Sequence, residues 1–375
     1  MPRTGMCFDA DRTEGRKSKM LHLPDGGKDP SGGLTKEQIT MFSKQHPFWA
    51  RAAGITTLGL VLGIAPMIAA DRPPKVGAGT GTETGTDAGS GPETGYGQEA
   101  PLIVAHRAGT ADYPENTREG IRGSLEDGAD ALWITVQLSR DGVPVLYRPI
   151  GLDEKTNGTG TVAEKTVAEL TALNAGWNFR PRGSEETPYR DDPALLPTLR
   201  QALADIPADR LVFLDLKQAD PVPLADAVVA VLRDAERTEN TVIYSTDAAA
   251  TGRARDAGDV QVAEDRDVTR KRLLDIALAH ECEPPPAAGT WMAFEDRRKI
   301  TVSETFTSGT AKSEVEVTPW DREAVRCIDP TDRVNLMAIG VADAERYRDL
   351  ARVGVDAVLV DSPRDAVSWK YGHSR

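Results

Sequence analysis

From residue 102 onward the chain repeats one pattern: a short apolar run, then an amphipathic stretch. The apolar runs are 102–107 (LIVAHR), 131–138 (ALWITVQL), 143–148 (VPVLYR), 211–217 (LVFLDLK), 241–247 (TVIYSTD), 260–265 (VQVAED), 290–296 (TWMAFED), 334–341 (VNLMAIGV) and 357–362 (AVLVDS). Between them lie stretches of helical periodicity such as NTREGIRGSLEDG, PLADAVVAVLRDAERT, RKRLLDIALAHE and ADAERYRDLARVG. Runs this short and apolar, joined by helices, predict parallel strands with both sheet faces covered. More than six such units favour closure into a (β/α)8 TIM-type barrel over an open sheet, and residues 101–375 have the length of one such barrel. The segment 299–320 breaks the rhythm and is expected to be an inserted β-hairpin with Ser308-Gly309 at its turn.

What precedes the barrel is of a different kind. Residues 52–70 hold no charged side chain, and at about 1.5 Å per residue they reach roughly 28 Å, close to the hydrocarbon thickness of a bilayer. A single transmembrane helix is the expectation; a buried helix and a cleaved signal peptide, for which the run starts late, are the rivals. Residues 1–51 carry nine Lys/Arg, including Lys44 and Arg51 beside the span. The positive-inside rule then puts this polar, disorder-prone arm in the cytoplasm and everything after residue 71 outside the cell membrane. Residues 71–100 are Gly/Thr-rich, cannot bury a core, and read as a flexible linker.

Composition narrows the function. A net charge of −13 argues against a nucleic-acid partner. The Gly-rich tract has no strand before it or helix after it, so it is not a phosphate loop. Three cysteines, Cys7, Cys282 and Cys327, are too few for a disulfide scaffold or a Cys-rich zinc site. Cys282 and Cys327 would lie in an oxidising compartment, where they could pair.

In such a barrel the polar residues at the C-terminal strand ends build the site. They are His106-Arg107, then Trp133, Thr135 and Gln137 on one face of the second strand, then Tyr147-Arg148, and Asp215 and Lys217. Asp247, Glu264-Asp265, Glu295-Asp296 and Asp361 follow. Arg107, Arg148 and Lys217 on one mouth suit an anionic group such as a phosphate. A bland alternative is that Asp215 and Lys217 neutralise each other inside the barrel.

These residues carry a resemblance. HRAGTADYPENTREGI followed by LEDGADALWITVQLSRDGVPVLYRPIGLDEKTNGTGTV resembles the opening of the glycerophosphodiester phosphodiesterase family, as do VAELTALNAGWNF, LPTLRQAL, FLDLK and GVDAVLVDSP, in order over about residues 101–370. The resemblance implies a divalent cation, often Ca²⁺ or Mg²⁺, held at the barrel mouth, an arginine on the phosphodiester, and two histidines as general base and general acid. It puts His106, Arg107 and Lys217 in catalytic positions, Glu115 and Asn116 at the border of the site, and Asp215 as one metal ligand. The other two ligand positions fall on Trp133 and Thr135, and the second histidine falls on Arg148.

An indole does not ligate a hard cation, and a threonine hydroxyl is a weak neutral ligand. A guanidinium does not exchange protons near neutral pH. The expectation is therefore no cofactor, or a weakly bound Ca²⁺ or Mg²⁺. Arg148 could replace the metal as a fixed cation on the phosphate, in the manner implied by the similar metal-free bacterial phosphatidylinositol phospholipases C. Asp215, Glu295, Asp296 and Asp361 could instead rebuild a metal site. Two functions compete: a membrane-anchored hydrolase of glycerophosphodiesters or phospholipid head groups, in lipid metabolism, and a degenerate barrel that binds a phosphorylated ligand or a partner protein without turnover.

Overall fold

A computed structural model describes residues 37–40, as backbone, and residues 100–370. The strands are β1 Glu37–Thr40, β2 Leu102–His106, β3 Ala131–Leu138, β4 Pro144–Leu146, β5 Leu211–Leu216, β6 Thr241–Tyr244, β7 Gln261–Val262, β8 Trp291–Glu295, β9 Arg298–Phe306, β10 Gly309–Val317, β11 Asn335–Ile339 and β12 Ala357–Val360. The helices are α1 Arg118–Glu126, α2 Val167–Leu170, α3 Leu199–Asp205, α4 Pro221–Asp234, α5 Ala248–Asp256, α6 Arg266–Ala279, α7 Arg322–Ile328, α8 Ala344–Val353 and α9 Pro363–Lys370.

The described residues fall into two compact units. In the larger, the strands run β7-β6-β5-β3-β2-β12-β11-β8, all parallel. That is chain order read around a circle. The two ends of the path meet where the Glu264 amide donates to the Trp291 carbonyl at 2.9 Å. The result is a nearly closed eight-stranded parallel barrel. β3 and β5 are buried at every residue, as strands covered on both faces must be. Trp133, Phe213, Tyr244, Trp291 and Met337 fill the barrel. Two further apolar layers separate the sheet from its helices.

Two expected barrel strands differ in the structure. The run 143–148 gives only β4, which pairs antiparallel with β3. A tight turn at Ser139–Val143, with Gly142 at φ +80, returns the chain at once, whereas a parallel neighbour would need a crossover. The run 260–265 gives a two-residue strand, because its chain turns into α6 at Asp265. The helix expected around His280 ends at Ala279; His280 is its left-handed cap, at φ 55. Cys282 and Cys327 form a disulfide with Cα atoms 5.3 Å apart.

The smaller unit holds the expected hairpin, β9 and β10, turning at Thr307-Ser308, with Gly309 at φ +153 just after. β1 lies parallel to β9, with Glu37 opposite Ile300 and Thr40 opposite Ser303. Among the described residues no helix is long and apolar enough to cross a membrane, and the span expected at 52–70 lies outside them. So do the rest of the arm and the linker.

Candidate active site

The site begins where β2 stops. After His106 the chain turns through Arg107 at φ 48 and Ala108 at φ 62, and Asn116 follows at φ 59. Non-glycine residues rarely adopt this left-handed region, and neighbours must hold them there. They do: the Asn116 amide donates to the Arg107 carbonyl at 2.8 Å, and the Asn116 Oδ1 accepts from the Thr135 amide at 2.8 Å. Thr117 then caps α1, accepting from the Gly120 amide at 3.1 Å. The PENT tetrapeptide thus fixes both the loop carrying Arg107 and the start of the next helix.

His106 Nδ1 lies 2.6 Å from Asp361 Oδ1, at the end of the neighbouring strand β12. The hydrogen bond to His106 holds the Asp361 carboxyl below the usual carboxylate range, and Arg107 and Arg182 add to it against partial burial. With its proton on Nδ1, the ring leaves the Nε2 lone pair available to a ligand. Arg107 Nη1 donates to Glu115 Oε2 at 3.1 Å, and Lys155 Nζ reaches the same oxygen at 3.3 Å. Burial pushes the Glu115 carboxyl up, but these two cations outweigh it and hold the group below its ordinary value.

The other side of the mouth is built on β3 and β5. Lys217 Nζ lies 3.1 Å from Asp215 Oδ1 and donates to Thr246 Oγ1 at 3.0 Å. Thr135 is register neighbour to Asp215 and fully buried, and its hydroxyl has no hydrogen-bond partner among the described residues. Trp133 is buried at 3% exposure, its ring 5.8 Å from Phe213 at 21° and 4.8 Å from Tyr244 at 57°. Phe213 meets Trp291 edge-on at 4.9 Å. The position that resemblance assigns to a carboxylate is therefore part of an aromatic floor.

Gln137 pins the loop after β4, its Nε2 donating to the carbonyls of Tyr147, Arg148 and Pro149 at 2.9–3.2 Å. Arg148, half-buried at the start of that loop, makes no ion pair or hydrogen bond through its side chain among the described residues.

The donors do not fit a divalent cation. Asp215 faces the Lys217 ammonium, and its neighbours Trp133 and Thr135 bring no charge. The other carboxylates considered for a rebuilt site are engaged: Glu295 by Arg266 at 2.7 Å and Arg298 at 2.6 Å, Asp296 by Arg346 at 2.6 Å, Asp361 by His106. No three His, Cys, Asp or Glu among the described residues are grouped to hold a metal. His280 is exposed and pairs with Glu323 at 2.9 Å, and His373 lies outside the described residues.

The strand-end residues expected from the sequence thus lie at the C-terminal ends of β2, β3 and β5 and in the loop after β4. Lys155 and Arg182, and the pairing of Asp361 with His106, were not legible there. Asp361 was visible as a strand end, but its pairing with His106 requires that the first and last strands be neighbours. Lys155 and Arg182 come from loops of the long β4–β5 connection, where sequence offers no register.

Comparison with known proteins places this geometry. Residues 106–365 match the model of the glycerophosphoryl diester phosphodiesterase family. The chain is 47% identical over 271 residues to the uncharacterized protein Rv2277c of Mycobacterium tuberculosis, covering 72% of this chain and 90% of that one. The crystal structure of the glycerophosphoryl diester phosphodiesterase domain of Rv2277c superposes with a TM-score of 0.69 at 45% identity, covering 73% of this chain and all (100%) of that domain. Human glycerophosphodiester phosphodiesterase 1 is 35% identical over 115 residues, 30% of this chain and 33% of that one. A phosphodiesterase of Oleispira antarctica, solved in complex with the product sn-glycerol-3-phosphate, shares the fold with a TM-score of 0.54 at 21% identity, over 72% of this chain and 96% of that one.

Proposed function

We propose, since the chain belongs to the glycerophosphoryl diester phosphodiesterase family, that it hydrolyses small glycerophosphodiesters or phospholipid-derived head groups with cations of its own at the barrel mouth. The observation that carries this reading is the His106–Asp361 pair at 2.6 Å with Arg107 next to it on the strand end. It supplies an oriented base and a fixed guanidinium in one place. The Oleispira phosphodiesterase, solved in complex with the product sn-glycerol-3-phosphate, indicates the kind of ligand to try first.

In this reading the diester oxygens sit against Arg107 and Lys217, with Arg148 as a further cation. Charge that builds on phosphorus in the transition state is met by groups already in position. A water molecule gives one proton to His106 Nε2 as its oxygen bonds to phosphorus, and the imidazolium returns that proton to solvent after the product leaves. Asp361 holds the tautomer and balances the imidazolium that forms. The phosphorus–oxygen bond to the alkoxide breaks, and the alkoxide takes its proton from solvent at the open mouth. Arg148, at the position of the second histidine, binds and does not donate.

A second reading is favoured by the aromatic floor: with Trp133 and Thr135 at two ligand positions, the mouth binds a phosphodiester or a phosphorylated partner and does not cleave it. Hydrolysis of a glycerophosphodiester panel by the whole protein, in chelator, Mg²⁺ or Ca²⁺, separates the two. The hydrolase reading expects turnover that survives chelation and falls about 10²- to 10⁴-fold in His106→Ala. Turnover that requires an added cation overturns the arginine-based account. Ligand-induced thermal stabilisation without product under any condition selects the binder.

For location, the reading is a single-pass membrane protein anchored through 52–70 with the barrel outside. The Cys282–Cys327 disulfide supports an oxidising compartment. The β1–β9 pairing needs residues 37–40 and 300–303 on one side of a bilayer and is the observation against this anchor. Cys7 is the one cysteine outside the disulfide. In intact cells it should resist a membrane-impermeant maleimide and react after lysis; labelling from outside refutes the anchor.

A further inference from the structure

Between α2 and α3 the chain makes an excursion over 176–190 whose side-chain ties stay largely local. Asn178 donates to the carbonyls of Asp153 and Glu154, Asn174 donates to the Tyr189 carbonyl at 2.5 Å, and Arg190 lies over Trp177 at 4.7 Å. One contact reaches the opposite flank of the mouth. Arg182 Nη1 donates to Asp365 Oδ2 at 2.5 Å, in the first turn of α9.

That turn belongs to the dyad's own corner. Asp361 precedes α9 by two residues, and Ser362 Oγ donates to Asp112, from the loop after His106, at 2.9 Å. Arg182 is already close enough for its charge to act on Asp361 together with that of Arg107. Both Arg182 and Asp365 are exposed, at 61% and 52%. An ion pair of that kind is weakly held and screened by salt. A phosphodiester offers the same guanidinium two anionic oxygens matched to its fork.

We propose that Arg182 is a further phosphate-binding arginine beyond Arg107 and Arg148, delivered by the 176–190 excursion, which exchanges Asp365 for the substrate once the diester is seated at Arg107 and His106. This rests on the phosphodiester reading of the site. Asp365 is then a competitor of the substrate for one guanidinium. The two partners of the ion pair therefore have opposite effects, which no purely structural latch produces.

The test is steady-state hydrolysis of glycerophosphodiesters by the full chain and by Arg182→Ala, Arg182→Lys and Asp365→Asn, with calorimetric binding of sn-glycerol 3-phosphate as a readout that needs no turnover. Arg182→Ala should raise KM about 5- to 20-fold with a smaller change in kcat, and Arg182→Lys should fall between it and the parent protein. Asp365→Asn should lower KM about 2- to 5-fold and flatten its salt dependence. Binding of sn-glycerol 3-phosphate should shift in the same two directions. If the parent protein turns over and the Arg182 and Asp365 variants move together or not at all, Arg182 is only a latch or a surface charge. If the parent protein neither hydrolyses a diester nor binds sn-glycerol 3-phosphate, the functional reading itself has failed.

Discussion

The two sides of the barrel mouth have different histories written in their chemistry. On the β2–β12 side, His106, Arg107, Glu115 and Asp361 form a charged, hydrogen-bonded set on a loop with three left-handed residues. On the β3–β5 side, Trp133 is core and only Asp215 and Lys217 keep charge, facing each other at 3.1 Å. One side resembles a working site and the other resembles packing. In the proposed reading, the cationic half of such a mouth holds a phosphodiester without the half that would hold a metal. A carboxylate cluster without its metal would be self-repelling and buried, whereas Trp133 and Thr135 at those positions carry no charge.

The contrast can be broken most strongly at Arg107. Arg107→Ala should cut kcat/KM by about 10²- to 10³-fold, as for loss of one oxyanion-stabilising donor. It also leaves Glu115 with one cation fewer, so thermal stability must be followed beside rate. Asp361→Asn should cost about 10- to 10³-fold in kcat with KM nearly unchanged, because it disturbs the imidazole tautomer and not the binding cations. Equal loss in KM would mean that Asp361 positions substrate.

The opposite side should answer in stability. Trp133→Ala removes the ring between Phe213 and Tyr244 and should lower unfolding stability by about 3–5 kcal/mol in denaturant titration. A variant that keeps its stability but loses turnover would make Trp133 a ligand contact and undo the division into two sides. Away from both, Cys282→Ser with Cys327→Ser opens a link between residues 45 apart. Its cost should be about 2–4 kcal/mol, with kinetics unchanged.

The smallest effect concerns pH. The Glu115 carboxyl is held below its ordinary value of 4.5. Its contribution is fully present above that value and is lost as pH falls through the lower, folded one. Glu115→Gln should therefore flatten the acid side of the stability profile while lowering the neutral plateau, since Arg107 and Lys155 lose their shared carboxylate. A steeper acid side would assign the acid sensitivity elsewhere.

Much of this was legible in the sequence, for identifiable reasons. Strands buried on both faces announce themselves as apolar runs, which is why β3, β5 and β12 stand where LWITVQL, LVFLDLK and AVLVDS predict. The run 143–148 misled because β4 is just as apolar; it pairs antiparallel with β3 and is covered by α3, α4 and the small layer around Leu152 and Leu196. His106, Arg107 and Lys217 stand at the strand ends that the apolar runs predict. The pairings of Asp361 with His106 and of Lys155 with Glu115 were not legible, since Asp361 comes from 255 residues away and Lys155 from a connection with no periodicity. The loss of the ligand pair was visible as two letters, but only the structure shows what the indole does there: it stacks.

The seam of the barrel has a consequence of its own. Seven of the neighbouring strand pairs are joined by ladders, while β7 and β8 meet through one amide, Glu264 to Trp291, next to a strand of two residues. A closed ring shares its strain and its solvent exclusion around the circumference; a ring with one thin joint concentrates both there. Amide hydrogen exchange across residues 261–264 should accordingly run ahead of β3 and β5, reporting a breathing motion in which the cylinder opens like a cuff along one line while its opposite wall stays protected.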